Sequence, residues 1–427
     1  MNIFQFKNFL SLATAEALSK LATFVAFAYL AHKLGPAGFG FVEWSGAILM
    51  CASLFVDQGF SSYGAREIAK TPDRTAALVS EIVTVRLLLA IGVYASVSLF
   101  ALLWVTDPVV RNLILVFGLS LFILPFLLQW VFQAHERMHL VAFAQIARQL
   151  IFASTILIFV REFSDIILVG AAEVAAVCVS AGLSLILFVR LFPAHRLLRP
   201  ALSWETIRSG GTIGLSQLFW VVRMFGATLI VGLIATATET GVFGAAMRIF
   251  VAAHTFVWLY FFNLLPSLSR AWHADKHEFV ELLRNSMRIV VSIGAPLFIV
   301  GFLTAPFLMT TVYGADFLPG YGALRWLGLA CFLTAISGHF RFGLIAAGHQ
   351  SREMISSAFG SVALIVLLPV GYFTGGITFA ALGLCIAEFL IMVVSWAQSR
   401  TIFSSQEAPL NDRPDAKSVA NFAQSVR

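Results

Sequence analysis

Charge is what this sequence has least of. Lys, Arg, Asp and Glu make up 12% of its 427 residues, about half of the ~25% usual in soluble domains. That scarcity excludes an ordinary water-soluble fold of this length. The net charge of +6 forms no clustered basic face, which excludes a nucleic-acid partner. Cysteine is scarce too: Cys51, Cys178, Cys331 and Cys385 stand far apart in apolar runs with no C-x-x-C pair. They read as buried free thiols. There is no G-x-x-x-x-G-K-[ST] loop, so the chain does not hydrolyse ATP through a P-loop. The opening "MNIFQFKNFLSLATAEALSK" lacks a compact apolar core followed by a small-residue cleavage site. It reads as the start of a first membrane helix rather than a signal peptide.

What is present is apolar: 59% hydrophobic residues, 41 Phe, and a mean hydropathy of +0.89. A spanning helix needs about 20 mostly apolar residues, and twelve such runs occur: 10–33, 39–62, 82–105, 108–133, 142–160, 164–189, 207–234, 241–268, 287–312, 318–346, 355–373 and 376–399. The connections are short and leave no room for an extramembrane domain. The N-terminus and every second loop carry Lys7, Arg66, Lys70, Arg74, Arg137, Arg148, Arg190, Arg196, Arg199, Arg208 and eight further cations up to Arg427. The opposite side carries Lys33, Arg111 and Arg161. By the positive-inside rule both termini face the cytoplasm. The tail from about 401 to 427 is polar and reads as disordered.

The two halves echo one another. "VRLLLAIG" (85–92) opens the third span and "MRIVVSIG" (287–294) the ninth. "AAE" ending at Glu173 lies in the sixth span and "IAE" ending at Glu388 in the twelfth; "QAHERM" follows the fourth and "AAGHQSREM" the tenth. Six being even, the halves share one orientation. The expected fold is therefore all-α and membrane-integral, with twelve helices in two six-helix lobes related as a parallel repeat and a site between them. Residues 1–200 form the N-lobe with its linker, 201–400 the C-lobe, and 401–427 a cytoplasmic tail.

Residues 135–139, "HERMH", match H-E-x-x-H, in which two histidines hold zinc and a glutamate activates water. The string is charged, sits at a helix end in a loop, and its repeat partner "HQSREM" lacks the pattern. It reads as a solvated basic loop, with no metal and no cofactor expected.

Ionisable residues inside spans cost roughly 2.5–3.5 kcal/mol each on insertion scales and mark function by default. Lys20 lies near the middle of the first span and Arg223 near the middle of the seventh; Arg248 and Arg325 lie deep in the eighth and tenth. Ser209, Thr212, Ser216 and Arg223 share one helical face, as do Glu16, Lys20 and Thr23. Both stripes are expected to meet at the lobe interface in a watery cavity. Its fixed cations suit an anion, and the arginine fork suits phosphate oxygens. The candidate substrate-binding residues are thus Arg223, Arg248, Arg325, Lys20 and Ser216. Glu388 and Glu173 are candidates for coupling to a proton or sodium ion, with pairing to an arginine left open for both. Arg86, Arg288 and Arg341 read as snorkelling cations, and Asp57 as a cap or hinge.

Five stretches carry a family resemblance: "LAHKLGPAGFGFVEW" (30–44), "DQGFSSYGAREIA" (57–69), "ETGVFGAAMRI" (239–249), "LLPSLSR" (264–270) and "VYGADFLPG" (312–320). In order and spacing they resemble Wzx-type polysaccharide flippases of the multidrug/oligosaccharidyl-lipid/polysaccharide (MOP) exporter superfamily, whose fold is MATE-like. The resemblance implies alternating access in a bacterial inner membrane. The implied cargo is an undecaprenyl-pyrophosphate-linked oligosaccharide, carried from the cytoplasmic to the periplasmic leaflet. A glycan polymerase or glycosyltransferases are the implied protein partners. The family's cationic cavity matches Arg223 and Arg248. Peptidoglycan-precursor flippases of the superfamily usually have two extra spans, which argues against lipid II. A cation-coupled multidrug exporter would want an acidic cavity, and a major-facilitator sugar carrier would want a basic loop signature unlike "SSYGAREIAKTPDR". A non-transporting scaffold of a glycan-assembly complex would be indifferent to cavity charges.

Overall fold

In the computed structural model the described residues are 3–192, 200–208, 219 and 221–405, with side chains described for 19–192, 200–208, 219 and 221–402. They form helices and short connections, and no strand occurs among them. The first half holds α1 (Ile3–Asp57), α2 (Phe60–Lys70), α3 (Thr75–Trp104), α4 (Pro108–Gly118), α5 (Gln129–Ala134), α6 (Met138–Phe159) and α7 (Ile166–Leu191). In the second half a π-helical turn, Val222–Gly226, leads into α8 (Ala227–Ile234). Then come α9 (Ala237–Ala274), α10 (Lys276–Tyr313), α11 (Tyr321–Ala346) and α12 (Gln350–Ser405).

Nine stretches among the described residues are long and apolar enough to cross a membrane. Two of them, Ser19–Lys70 and Gln350–Ile402, have 52 and 53 residues. At 1.5 Å per residue each is roughly 80 Å long, more than twice a ~30 Å hydrocarbon core. Both are broken by glycine. In α1 the break is Gly35 (φ 65°, ψ 177°), and in α12 it is the pair Gly375–Gly376, with Gly376 at φ 68°. Positive φ is open to glycine and costly for a residue with a β-carbon. Pro36 then starts the second arm of α1, where its missing N–H costs nothing. The chain folds back here: Phe27 of the first arm and Phe39 of the second meet edge-on, centroids 6.2 Å apart. Expected spans 10–33 and 39–62 are therefore the two arms of α1, and 355–373 and 376–399 the arms of α12. Of expected span 207–234, residues 209–218 and 220 lie outside the described residues.

Expected span 108–133 is not one helix. α4 ends at Gly118, and two 3-10 turns, Leu119–Phe122 and Leu124–Phe126, lead to α5. Pro125 supplies no N–H and disfavours α conformation in the residue before it. Two helix starts at the charge-poor end, where Lys33, Arg111 and Arg161 sit, carry side-chain caps. Asp107 accepts from the N–H groups of Val109 (2.8 Å) and Val110 (3.2 Å). Thr236 and Glu239 form a capping box at the start of α9.

The main core runs through both halves, joining both arms of α1 to α4, α6, α7 and α9–α12. Of three smaller clusters apart from it, two form a pair, one around Phe60, Ile82, Trp130 and Phe132, the other around Leu268, Trp272, Phe279 and Leu344. They occupy matching places in the two halves. The most apolar windows of α3 and α10 are only 11% and 6% buried, so these helices are peripheral and turn their side chains to lipid.

The halves meet where the second arm of α1 crosses α9. A β-carbon on Gly40 would collide with the carbonyl of Ala237, and one on Gly241 with the carbonyl of Pro36. Backbone lies on backbone, the close approach that small residues permit in membrane helix pairs.

Candidate functional site: a charged chamber between the halves

A cavity of about 260 Å³ lies under this crossing, walled by α1, α4, α6, α7, α8, α9 and the π turn. Its charged lining is Lys20, Glu43, Arg148, Glu173 and Arg248. Three cations face two acids, leaving one net positive charge. Phenylalanines and methionines, Phe24, Phe152, Met50 and Met247 among them, dominate the bulky part of the remaining wall, which is otherwise made largely of small and aliphatic residues. Little water is needed to hydrate such a wall, so charges within it interact more strongly than they would in bulk solvent.

Lys20 and Thr23, from the stripe expected on the first span, both line the chamber. The Thr23 hydroxyl is 2.8 Å from both the Gln149 side-chain oxygen and the Ser19 carbonyl. The side chain of Glu16 lies outside the described residues. Arg148 donates to Glu173 at 2.5 Å, tying α6 to α7. Arg248 donates through Nε to Glu43, tying α9 to α1, and its guanidinium lies over the Phe27 ring, 3.0 Å from the centroid. Arg248 keeps 28% of its side chain exposed, against 7% for Glu43. The cation is thus offered to the chamber while the acid is covered.

Arg223 lies elsewhere. It sits in the π turn, where Met224 and Phe225 take the chamber wall. Its guanidinium is 3% exposed and donates to Glu388 at 3.3 Å, and Glu388 also accepts from Thr334 at 3.0 Å. A buried arginine left without a counter-charge is costly, and α12 supplies the carboxylate. The two candidates, one for substrate and one for an ion, are therefore each other's partners in this conformation. Arg325 is also outside the chamber. It donates through Nε to the Phe302 carbonyl at 2.9 Å and stacks on Phe302 and Tyr321. Ser216 lies outside the described residues. Arg86, expected to snorkel, is buried instead. It pairs with Asp57 at 3.2 Å and donates to the Leu124 carbonyl.

Two chamber residues escape a reading of the sequence, Glu43 and Arg148. Each lies inside an expected span, and α6 begins ten residues before Arg148, which belongs to the helix rather than to a loop.

At the charge-poor end the chamber is sealed. Phe39 of α1 meets Phe317 (5.6 Å) and Tyr313 (6.0 Å) from the other half. The Trp44 indole donates to the Leu229 carbonyl at 3.2 Å. At the opposite end, the "HERMH" residues do not share a helix. His135 caps α5, Glu136 has φ 56°, and His139 belongs to α6. His135 lies 3.3 Å from the Thr75 hydroxyl and packs on Phe192, and no metal-ligand cluster occurs among the described residues. Partial burial, helped by nearby Arg137, holds the His135 imidazole below its ordinary pKa.

Comparison with known proteins agrees with this architecture. A family model described as "Polysaccharide biosynthesis protein" matches residues 6–272. The "Putative O-antigen transporter" of Escherichia coli (strain K12) is 23% identical over 387 residues, covering 85% of this chain and 89% of that protein. Among solved structures, an inward-facing multidrug resistance MATE family transporter of the MOP superfamily superposes with a TM-score of 0.73 at 16% identity, covering 92% of this chain and 96% of that one. The lipid II flippase MurJ in an inward closed conformation gives 0.69 at 11% identity, covering 91% and 87%.

Proposed function

Because the chain belongs to the polysaccharide biosynthesis protein family, we propose that it is a flippase for a lipid-linked oligosaccharide, with undecaprenyl pyrophosphate as the lipid carrier. The observation that carries this reading is the chamber: Lys20, Arg148 and Arg248 converge between the two halves in an apolar surround. Cations there suit the pyrophosphate, the part of such a cargo that lipid rejects most strongly. The E. coli relative's name, O-antigen transporter, supports the glycan, and the MurJ neighbour supports a fold able to move a lipid-linked one.

The cargo enters from the basic, cytoplasmic end with its isoprenoid tail in the bilayer. Arg248 and Lys20 take the pyrophosphate, and residues 1–200 rock against 201–400 to expose it at the charge-poor, periplasmic end. An ion gradient resets the cycle, with Glu173 and Glu388 as the groups that would release an arginine on taking up a proton or a sodium ion. Export of the glycan to the cell surface tests the reading. Arg248→Ala, Lys20→Ala and Arg148→Ala each abolish or sharply reduce it, and Arg248→Lys, which lacks the planar fork, recovers only part. Wild-type export by a folded triple variant would end the proposal. A multidrug exporter would instead lose drug resistance, with surface glycan unchanged.

A further inference from the structure

One short stretch of α1 makes most of the seal between the halves. Phe39 reaches Tyr313 and Phe317, Gly40 lies on α9, Glu43 holds Arg248, and Trp44 reaches α8. Just before it stands the broken backbone at Gly35. The crossing is reciprocal: Gly40 faces the carbonyl of Ala237 and Gly241 faces that of Pro36, each four residues ahead of the facing glycine. Such a contact has no interlocked side chains and can part without repacking. One turn deeper, Gly244 leaves room for the Glu43 side chain; a β-carbon there would stand 2.6 Å from Glu43 Cγ. The ion pairs Arg148–Glu173, Arg223–Glu388 and Arg341–Glu353 each stay within one half, whereas Glu43–Arg248 bridges the two.

We propose that Gly40–Gly241 is the gate at the charge-poor end of the chamber and that Glu43–Arg248 is its latch, released when an anionic cargo group takes Arg248 from Glu43. The exposure of the two partners fits this order of events, since a ligand in the chamber reaches Arg248 before Glu43. Once Arg248 binds phosphate oxygens, the Glu43 carboxylate is left in an apolar setting without its counter-charge. It gains by turning to water as residues 36–44 swing about Gly35. Binding and opening are thereby coupled through one arginine, and an empty transporter stays shut. The identity of the anion rests on the flippase reading; the gate and its latch do not.

The test measures a distance across the gate. Cys51, Cys178, Cys331 and Cys385 are replaced by alanine, and spin labels are placed on Thr106→Cys and Leu318→Cys. Both positions are exposed at the charge-poor end, one in each half. In lipid nanodiscs the protein gives a short distance. Glu43→Gln raises the fraction with a longer distance about tenfold, and Gly241→Leu raises it with the latch intact. Undecaprenyl pyrophosphate in the nanodisc does the same to the latched parent and nothing further to Glu43→Gln. Unchanged distances in both Glu43→Gln and Gly241→Leu would overturn the gate. Opening by Glu43→Gln without any response to undecaprenyl pyrophosphate would overturn release by the anion. In that case the export assay on Arg248 decides separately whether the flippase reading falls as well.

Discussion

Arg223 and Glu388 are 165 residues apart in sequence and 3.3 Å apart in space, each 3% exposed. The pair joins the π turn to α12, and Thr334 of α11 completes the carboxylate's coordination. Removing one member leaves the other buried and unpaired, a loss of about 3–5 kcal/mol. Arg223→Ala and Glu388→Gln should each lower the melting temperature of the purified protein, whereas Arg223→Met combined with Glu388→Gln should recover most of it. If the pair only holds the fold, export recovers with stability. If Glu388 resets the cycle, the double variant melts normally and still fails to export.

Position, more than charge, should decide which arginines matter for transport. Arg248 and Arg148 line the chamber, while Arg325 lies on Phe302 and Tyr321 outside it. Arg325→Ala should lose about 0.5–1 kcal/mol of cation–π contact and keep export near wild type. A null phenotype in surface-glycan export for a stable Arg325→Ala protein would contradict the placement of the site.

The start of α4 depends on a single carboxylate. Asp107 caps two N–H groups next to Pro108. Asp107→Ala should destabilise by about 1 kcal/mol, and Asp107→Asn by much less, since asparagine caps nearly as well. Thermal melting in detergent separates the two variants, with export unaffected by either.

The loop between α5 and α6 should respond to acid. In the fold the His135 imidazole binds its proton less readily than in the unfolded chain. Its contribution to stability is therefore present above the ordinary histidine pKa of ~6.5 and is lost as pH falls through the lower folded value. Melting measured from about pH 7.5 to about pH 5 should fall, with part of that fall absent in His135→Gln.

Much of the fold is legible in the sequence because lipid imposes long apolar runs and loops impose charge asymmetry. The arms of α1 and α12 coincide with expected spans, and the breaks fall at "LGPAG" and "TGGI", where glycine and proline announce them. Span 108–133 misleads because hydropathy does not distinguish an α-helix from successive 3-10 turns around Pro125. The site was legible in part. Lys20 and Thr23 reach the chamber because an undistorted helix keeps its 3.6-residue period. Arg223 does not, because it sits in a π turn, where that period fails. The pairing of Glu43 with Arg248 spans 205 residues, and no local pattern encodes it.

The glycine crossing has one more consequence. Each side of it is a small residue facing the carbonyl four positions ahead of its counterpart, so the two sides are interchangeable. An isologous contact of that kind belongs to two-fold dimers, and here both partners are carried on a single polypeptide. Covalent linkage removes any dependence of this contact on protein concentration, and it lets the two sides differ: an acid stands at Glu43 on one side, a glycine at Gly244 on the other. That asymmetry gives a pseudo-symmetric joint a direction.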